Sequence, residues 1–543
     1  MPLRLKVFMP ALLAAATIAL YWPSLHYAPF FDDTHLFEFG LLQRVFLEGF
    51  SFSPRWLPYF VSAWIDLIFT DHLFAQRCVN LALHLATAFV LYALVRQVAD
   101  HVAPHRNNKR AALAAALLFL LHPLAVYAVG YLAERTILMA TLFGLLALST
   151  YFDGLVRRKN AYFVFSGLFY LLSSFSKEHA VLIPAAALAL TPLAAPLTRQ
   201  TWRQLVLPSG LYLGIAILVV AKVHQVVGTA YEPFAKSLLD QRFAGYSQVY
   251  LWVLSAMTQA ALFFKYVGLM LVPYPGWMSI DMRVPFAAHF TQPKYLLGVA
   301  ALAAYAAMSI AWLLKGGRRG LVGYALLAPL LLFAVEFSTV RIQEPFVLYR
   351  AYLWFPLLFV ALPAMSSGLP SRLFWPVILI VAFAFAVASS DRLRSFSSEY
   401  ALWDDAAKKL PDERALGAAR VYTNRGGLLM RRGDLAGAVA DFSRALRADP
   451  MYKDALKGCA FAYMKQGRDS AAFSEAATLI RLYPDDRDPY IVRGQIYKHL
   501  GDWRRAKADF EYGCQGDRFP DTCVAIRMGA SAQPEPAARG AAH

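Results

Sequence analysis

The sequence is poor in cysteine and in acidic residues, and it lacks the short motifs that mark several common kinds of site. Four cysteines occur in 543 residues, and no spacing of Cys and His resembles a zinc site. Gly-rich phosphate-binding loops are absent as well. These absences argue against a zinc-binding domain and against an enzyme built on a phosphate-binding loop.

Acidic residues are outnumbered by basic ones. Asp and Glu number 36 against 53 Lys and Arg, which gives a formal net charge of +17. Such an excess could suggest a nucleic-acid partner, but the basic residues are concentrated in short loops between apolar runs and in the C-terminal helices. In a membrane protein this distribution reports topology. The sequence therefore predicts a partner in the membrane and no nucleic acid.

Apolar residues dominate the first 390 positions. At 58% hydrophobic residues, the chain is too apolar for a soluble globular protein. No convincing small-x-small cleavage site follows the first apolar run, so this run is read as a retained helix. The predicted fold is all-α, a polytopic membrane bundle of about 11 spans followed by a helical solenoid. The runs long enough to cross a bilayer, or nearly so, are 7–22, 73–96, 111–127, 135–154, 160–174, 179–195, 203–222, 294–314, 320–336, 347–366 and 373–389.

The basic loops predict the orientation of these spans. With a cytoplasmic N-terminus, the loops that carry Arg106, Lys109, Arg157, Lys159, Lys315 and Arg319 all lie inside. This result requires that the apolar stretch 248–272 does not cross, and we expect it to lie along the outer membrane surface. The odd number of spans then places the C-terminal region outside the cytoplasm.

A 34-residue period runs through residues 420–515 and is typical of tetratricopeptide repeats (TPRs), in which small residues let the two helices of a hairpin touch. The predicted domains are a membrane domain at 1–392, a linker helix at 393–418, three repeats at 419–526 and a disordered tail at 527–543. The residues on the period are Gly433, Gly467 and Gly501; Ala438, Ala472 and Ala506; and Gly426, Ala460 and Gly494.

The cysteines divide into two pairs. Cys78 and Cys459 lie in apolar helical sequence and are predicted to pack. Cys514 and Cys523 lie nine positions apart at the end of the repeats. In an oxidising compartment they could close a disulfide, or they could remain free thiols.

The predicted topology collects ionisable residues on the outer side. A sugar carried on a polyprenyl phosphate presents an anion that Lys and Arg can bind and stabilise as it leaves. An acceptor hydroxyl that attacks the sugar needs a carboxylate base, and Asp32 and Asp33 could share that work. Asp33 is the preferred base and Asp32 would orient the acceptor or a cation; the reverse order is the alternative, since the sequence does not say which side chain points inward. The candidate site residues are Asp32, Asp33, His35, Arg135, Lys177, Glu178, His179, Lys265, Asp281, Glu344 and Arg350. His122 and Tyr352 are further candidates.

Each of these signals has a simpler interpretation. Adjacent Asp residues often form a solvated turn, the Ser176-Lys177-Glu178 triplet could be a polar cap between helices, and Glu134-Arg135 could be a local ion pair. His122 precedes a proline within an apolar run and could be structural or catalytic. The functional interpretation therefore depends on the whole set.

The set resembles a known family. Membrane glycosyltransferases of the GT-C class, specifically the TMTC-type transmembrane and TPR-repeat-containing O-mannosyltransferases and their bacterial relatives, are similar in arrangement. The resemblance implies that Asp33 or Asp32 is the catalytic base and that Arg135, Lys177 and Arg350 contact the lipid phosphate. The matching positions are Asp32-Asp33, Arg55, Pro58, Asn80, His84, His122-Pro123, Arg135, Ser176-Lys177-Glu178, Lys265-Tyr266, Pro273, Arg350, Tyr352 and Trp403.

The predicted function is transfer of a sugar from a polyprenyl-phosphate donor to an extracytoplasmic acceptor, with Ser or Thr of a secreted or pilin-like protein favoured. The repeats would bind this acceptor or dock a partner. The short array suggests a bacterial inner-membrane protein whose site and repeats face the periplasm. The alternative is a transporter or flippase of lipid-linked saccharide with a TPR recruitment module, and a third is a membrane-anchored scaffold. Involvement of a divalent metal ion stays open.

Overall fold

The computed structural model describes residues 3–38, 40–105, 107–230, 232 and 235–515. Throughout these ranges the regular structure is helical, which confirms the predicted all-α class. The chain divides into two compact units, residues 1–405 and 406–543. The boundaries predicted near residues 392 and 419 stay predictions.

The first unit contains long apolar helices joined by short helical turns. Its α-helices are α1 (Leu3–Tyr21), α2 (Asp32–Glu38), α3 (Leu41–Glu48), α4 (Trp56–Ile68), α5 (His72–Val102), α6 (Asn108–Leu120), α7 (Pro123–Val129), α8 (Arg135–Arg157), α9 (Asn160–Ser176), α10 (Ile183–Ala194), α11 (Arg199–Val223), α12 (Ala235–Arg242), α13 (Gln248–Leu271), α14 (Pro293–Leu314), α15 (Gly317–Phe333), α16 (Leu362–Met365) and α17 (Ser371–Ser395). The 3₁₀ segments that bear on the site are Leu132–Glu134, Glu178–Leu182, His224–Val226, Ala334–Ser338, Leu348–Leu353 and Phe355–Ala361.

Seven helical segments in the described ranges are long and apolar enough to cross a membrane, and an eighth is counted if the bent pair α6–α7 is one span. This number is smaller than the predicted eleven because several apolar runs fold into shorter helices. The run 347–366 is mostly 3₁₀ structure. This run therefore contributes only a short apolar helical segment, Phe355–Gly368, to the described structure.

Helix α13 passes the same length and composition test, although the sequence predicted that 248–272 does not cross. The chain after α13 folds back alongside this helix, and the hydroxyl Oγ1 of Thr258, in the middle of α13, accepts a hydrogen bond from the Ala287 amide at 3.0 Å. The length and composition of α13 therefore do not support the predicted position of 248–272 along the membrane surface. The even span count before residue 315 stays a prediction.

A bend of 59° separates α6 from α7. Pro123 cannot donate a backbone hydrogen bond and stands at the first position of α7, where no donor is needed. His122 caps this helix, because its Nδ1 accepts a hydrogen bond from the Leu124 amide at 3.1 Å. Its Nε2 lies 3.0 Å from the Met270 carbonyl oxygen. His122 thus has a structural role that shapes the turn ahead of residues 131–135.

The second unit consists of paired helices. They are α19 (Ala418–Arg431), α20 (Leu435–Ala448), α21 (Lys453–Lys465), α22 (Asp469–Leu482), α23 (Asp488–His499) and α24 (Trp503–Gly513), preceded across the unit boundary by α18 (Glu399–Lys408). Gly433, Gly467 and Gly501 have positive φ at the turns inside the pairs. The registered alanines 438, 472 and 506 are fully buried, as the repeat pattern predicts.

Cys459 is buried in this unit and free, as expected for a packing residue, and Cys78 is free and partly buried. Cys523 lies outside the described residues. The predicted disulfide between Cys514 and Cys523 therefore stays a prediction.

Candidate active site

The two adjacent aspartates begin the short helix α2 and face different environments. Asp32 is exposed, whereas Asp33 is completely buried. The Asp33 Oδ1 atom accepts a hydrogen bond from the Ala133 amide at 2.8 Å. The Asp32 amide donates to the Tyr131 hydroxyl at 3.2 Å. Both contacts attach α2 to the turn at residues 131–134.

Burial raises the pKa of Asp33 to about 7, although the charge of Arg77 and the amides of Ala133 and Leu132 act in the opposite direction. The other carboxylate oxygen, Oδ2, is buried and has no hydrogen-bond partner among the described residues. A buried carboxylate without full compensation favours its neutral form. Asp33 is therefore the tethered member of the pair, and Asp32 is the accessible one.

This difference predicts a pH dependence of stability. Folding raises the pKa of Asp33 from 3.8 to about 7, so the native state holds the proton more tightly. The resulting stabilisation is present below about pH 4 and is lost as the pH rises through about 7. In Asp33→Asn this dependence should disappear, and the melting temperature of the variant relative to the parent should increase between about pH 4 and pH 7. Asp32→Asn is the control, and parallel curves for both variants would contradict the assignment.

Glu134 and Lys177 form a buried ion pair beside this turn. The Lys177 Nζ lies 2.6 Å from Glu134 Oε2 and 3.2 Å from the Thr136 hydroxyl, and its side chain is 3% exposed. The ammonium also lies over the Tyr349 ring, 4.8 Å from its centroid. Burial lowers the pKa of Lys177, and Glu134 opposes this change. The Tyr349 ring in turn contacts Tyr131, which links the ion pair to the aspartates.

Arg135 is buried and bound to neutral protein groups. Its Nε donates to Asn80 at 2.8 Å, one terminal nitrogen donates to Ser62 at 2.7 Å and to the Gln76 side chain, and the other donates to the Gln76 carbonyl at 2.7 Å. These bonds anchor the start of α8 to α4 and α5. The predicted contact of Arg135 with a lipid phosphate stays a prediction, and it would require these bonds to be exchanged.

Glu178 connects the segment between α3 and α4 to the turn after α9. Arg55 donates hydrogen bonds from both Nε and Nη2 to the Glu178 carboxylate, at 3.1 and 2.5 Å. His179 lies between two carboxylates, with Nδ1 3.5 Å from Glu178 and Nε2 3.6 Å from Glu336. Two segments that are far apart in sequence therefore meet at this histidine.

Glu336 pairs with two arginines through Oε2, the carboxylate oxygen that is not the one nearest His179. Arg341 Nε lies 3.2 Å from its carboxylate and Arg350 Nη1 lies 3.1 Å from it. Arg350 also approaches Glu344 at 3.7 Å. Acidic and basic residues from four separate segments of the sequence thus form one cluster, which we call the charge cluster: Arg55, Glu134, Lys177, Glu178, His179, Glu336, Arg341, Glu344 and Arg350.

A cavity of about 460 Å³ opens beside the charge cluster, within the range of roughly 300–1,000 Å³ that is typical of small-ligand sites. Its lining combines polar and apolar side chains. The polar lining residues are Arg55, Glu178, His179, Ser338, Thr339 and Arg341, and the apolar ones include Val181, Leu182, Val220, Val223, Val226, Val227, Ala334 and Val335.

Other predicted residues lie outside this cluster. Lys265 lies over the Phe346 ring, and Asp281 pairs with Arg283. The Tyr352 hydroxyl is 2.7 Å from His84 Nδ1 in the buried bundle. The side chain of His35 is outside the described part of the chain. Among the described residues, no group of three or more His, Cys, Asp or Glu side chains could hold a metal ion.

The residues in or beside the site that were not chosen from the sequence as site candidates include Arg55, Tyr131, Glu336 and Tyr349. Glu336 carried a usable signal, because an ionisable residue at the end of the apolar run 320–336 is costly unless it is paired. Arg55 has a left-handed backbone with φ 65°, which no local sequence pattern indicated. Tyr131 and Tyr349 belong to the site only because distant segments of the chain pack together there.

Comparison with known protein families gives a match in the second unit. Residues 429–496 match the family model described as a tetratricopeptide repeat. Among solved structures, the chain is similar to the archaeal oligosaccharyltransferase AglB from Archaeoglobus fulgidus, solved in complex with an inhibitory peptide and a dolichol-phosphate. The identity is 16%, the TM-score is 0.43, and the match covers 76% of this chain and 59% of the AglB chain. The chain thus combines an apolar helical bundle with a domain of tetratricopeptide repeats.

Proposed function

We propose that this protein is a glycosyltransferase that moves a sugar from a polyprenyl-phosphate donor to a hydroxyl acceptor outside the cytoplasm. The observation that carries the proposal is an exposed carboxylate, Asp32, that is connected through Tyr131 and Tyr349 to a cluster of mostly buried cations. This cluster borders a cavity with many apolar lining residues. A lipid-linked sugar phosphate needs these elements together: an apolar surface, cations and a base.

The reaction assigns a separate task to each group. A carboxylate takes the proton of the acceptor hydroxyl, the acceptor oxygen bonds to the anomeric carbon, and the sugar–phosphate bond breaks with its electron pair leaving on the lipid phosphate. Nearby cations stabilise the charge that develops on this phosphate. The sequence favoured Asp33 as the base, but Asp33 is buried and Asp32 is exposed. We therefore propose Asp32 as the base, and Asp33 holds α2 against Ala133.

Three cations were predicted to serve the donor phosphate. Lys177 and Arg350 belong to the charge cluster and contribute to the positive potential there even while they are paired. Arg135 supports the same site by holding α8 to its neighbours. A divalent metal ion is not required by this scheme.

The repeats indicate that the acceptor is a polypeptide. TPR surfaces bind extended or helical peptides, so we propose that the acceptor is Ser or Thr of a secreted or pilin-like protein, or that the repeats dock a partner which supplies it. The proposed location is a bacterial inner membrane, with the site and repeats in the periplasm. The basic loops support this orientation.

The function is tested by comparing glycoconjugates with and without the gene. Mass spectrometry of secreted proteins, pilins and surface glycans should show one sugar mass that disappears from peptides of one acceptor class in the deletion strain. Complementation with the parental chain should restore it. Unchanged glycosylation together with a failure to export a lipid-linked saccharide would instead support the transporter interpretation.

A further inference from the structure

Arg55 differs from the other basic residues of the charge cluster. Its side chain is 40% exposed, whereas those of Lys177, Arg341 and Arg350 are 3–7% exposed. It stands at the start of α4 in a left-handed conformation, which is unfavourable for a residue with a side chain. The pair with Glu178 holds it there. Arg55 is thus bound but accessible, as an arginine that exchanges partners must be.

The cavity beside Arg55 continues into a surface suited to lipid. Four of its apolar lining residues come from the end of α11 and the turn after it, namely Val220, Val223, Val226 and Val227. Val220 and Val227 are 45% and 50% exposed. Only 22% of the apolar part of this span is buried inside the protein, so these valines lie at the end of an apolar helix that is largely exposed.

We propose that this cavity binds the phosphate and the first isoprene units of a long-chain polyprenyl phosphate, and that Arg55 transfers from Glu178 to the phosphate when the lipid enters. The proposal rests on the proposed function for the choice of lipid. Arg341, which also lines the cavity, completes the anion site while it stays paired with Glu336.

The chemistry of the two partners supports an exchange. A guanidinium binds a carboxylate and a phosphate with the same two-pronged geometry. In the absence of lipid, Glu178 compensates the charge of Arg55 in a cavity that is mostly apolar. An arriving phosphate replaces one anion by another, so Arg55 does not have to be left unpaired at any stage.

The test measures binding of a long-chain polyprenyl phosphate to the full-length protein in phosphatidylcholine nanodiscs. Arg55→Gln should weaken binding about 10- to 100-fold, because a charge-assisted hydrogen bond is lost. Arg55→Lys should retain part of the affinity. Glu178→Gln should tighten binding several-fold, since it removes the competing carboxylate. Arg157→Gln is the matched control, because Arg157 pairs with Asp153 on an exposed surface away from the site.

Binding measurements with three other ligands test which part of the polyprenyl phosphate the cavity recognises. Uncharged polyprenol of the same length, phosphatidylglycerol and inorganic phosphate should each bind much more weakly than the polyprenyl phosphate. Equal binding of any of these three would overturn the lipid assignment. Weakening by Glu178→Gln to the level of Arg55→Gln would show that the pair is structural and would overturn the exchange.

The same measurements separate this inference from the proposed function. Arg55-dependent binding of the polyprenyl phosphate without any sugar transfer would leave the inference standing and remove the glycosyltransferase. Sugar transfer with unchanged affinity in Arg55→Gln would do the reverse.

Discussion

Replacing Asp32 by Asn should lower sugar transfer by about 10²- to 10⁴-fold, the usual contribution of a general base. Asn keeps the shape of the side chain but cannot accept the acceptor's proton. Because Asp32 is exposed, the substitution should leave folding and membrane insertion unchanged. The measurement is the turnover of purified protein with the donor lipid and acceptor that mass spectrometry identifies, together with donor binding in nanodiscs.

The controls come from the same region. Asp71 is an exposed aspartate that caps α5 through the Phe74 amide, and Asn caps a helix equally well. Asp71→Asn should therefore retain the parental rate. Asp33→Asn should retain more activity than Asp32→Asn if Asp33 acts by holding α2. Parental turnover in both Asp32→Asn and Asp33→Asn would rule out the proposed mechanism and leave lipid transport as the leading interpretation.

Removing Lys177 alone should strongly destabilise the protein. Its ammonium is buried against Glu134, and loss of one partner of a buried ion pair costs about 3–5 kcal/mol because the other charge stays uncompensated. We expect Lys177→Met to lower the melting temperature in detergent markedly. The double variant Lys177→Met with Glu134→Gln should recover most of the loss, since neither charge then remains.

The double variant also separates packing from chemistry at Lys177. Transfer that stays low after stability is restored would assign the ammonium a part in stabilising the leaving phosphate, and transfer that recovers would assign it to the fold alone. Arg157→Gln, at an exposed pair, should leave the melting temperature unchanged. If Lys177→Met melts like the parent, the buried pair described here is wrong.

Several features were accessible from local patterns. The 34-residue period located the repeats because each repeat forms the same pair of contacts with its neighbour, so small residues return at fixed offsets. Gly433 and Ala438 illustrate this, one at a left-handed turn and the other fully buried. Apolar runs identified the bundle because the requirement to fill a bilayer is also local.

The site was only partly accessible from the sequence. The outer-loop argument selected Lys177, Glu178, His179, Glu344 and Arg350, which the structure places in one cluster. It could not tell that the hydrogen-bonding groups of Arg135 are bound to neutral side chains and a carbonyl. Nor could it tell that Lys265 and Asp281 lie outside the charge cluster. Which side chains meet depends on how α4, α8 and α15 pack, and that packing leaves no periodic trace in the sequence.

The sequence by itself determined the helical class, the repeats and the collection of charges at helix ends, since these follow from hydrophobic length and from residue spacing along one chain. Only the tertiary structure decided that Asp33 is buried while Asp32 is exposed, and that Arg55 reaches Glu178. The physical reason is that burial and ion pairing depend on distances between segments remote in sequence. Neighbouring residues with identical chemistry can therefore have opposite environments.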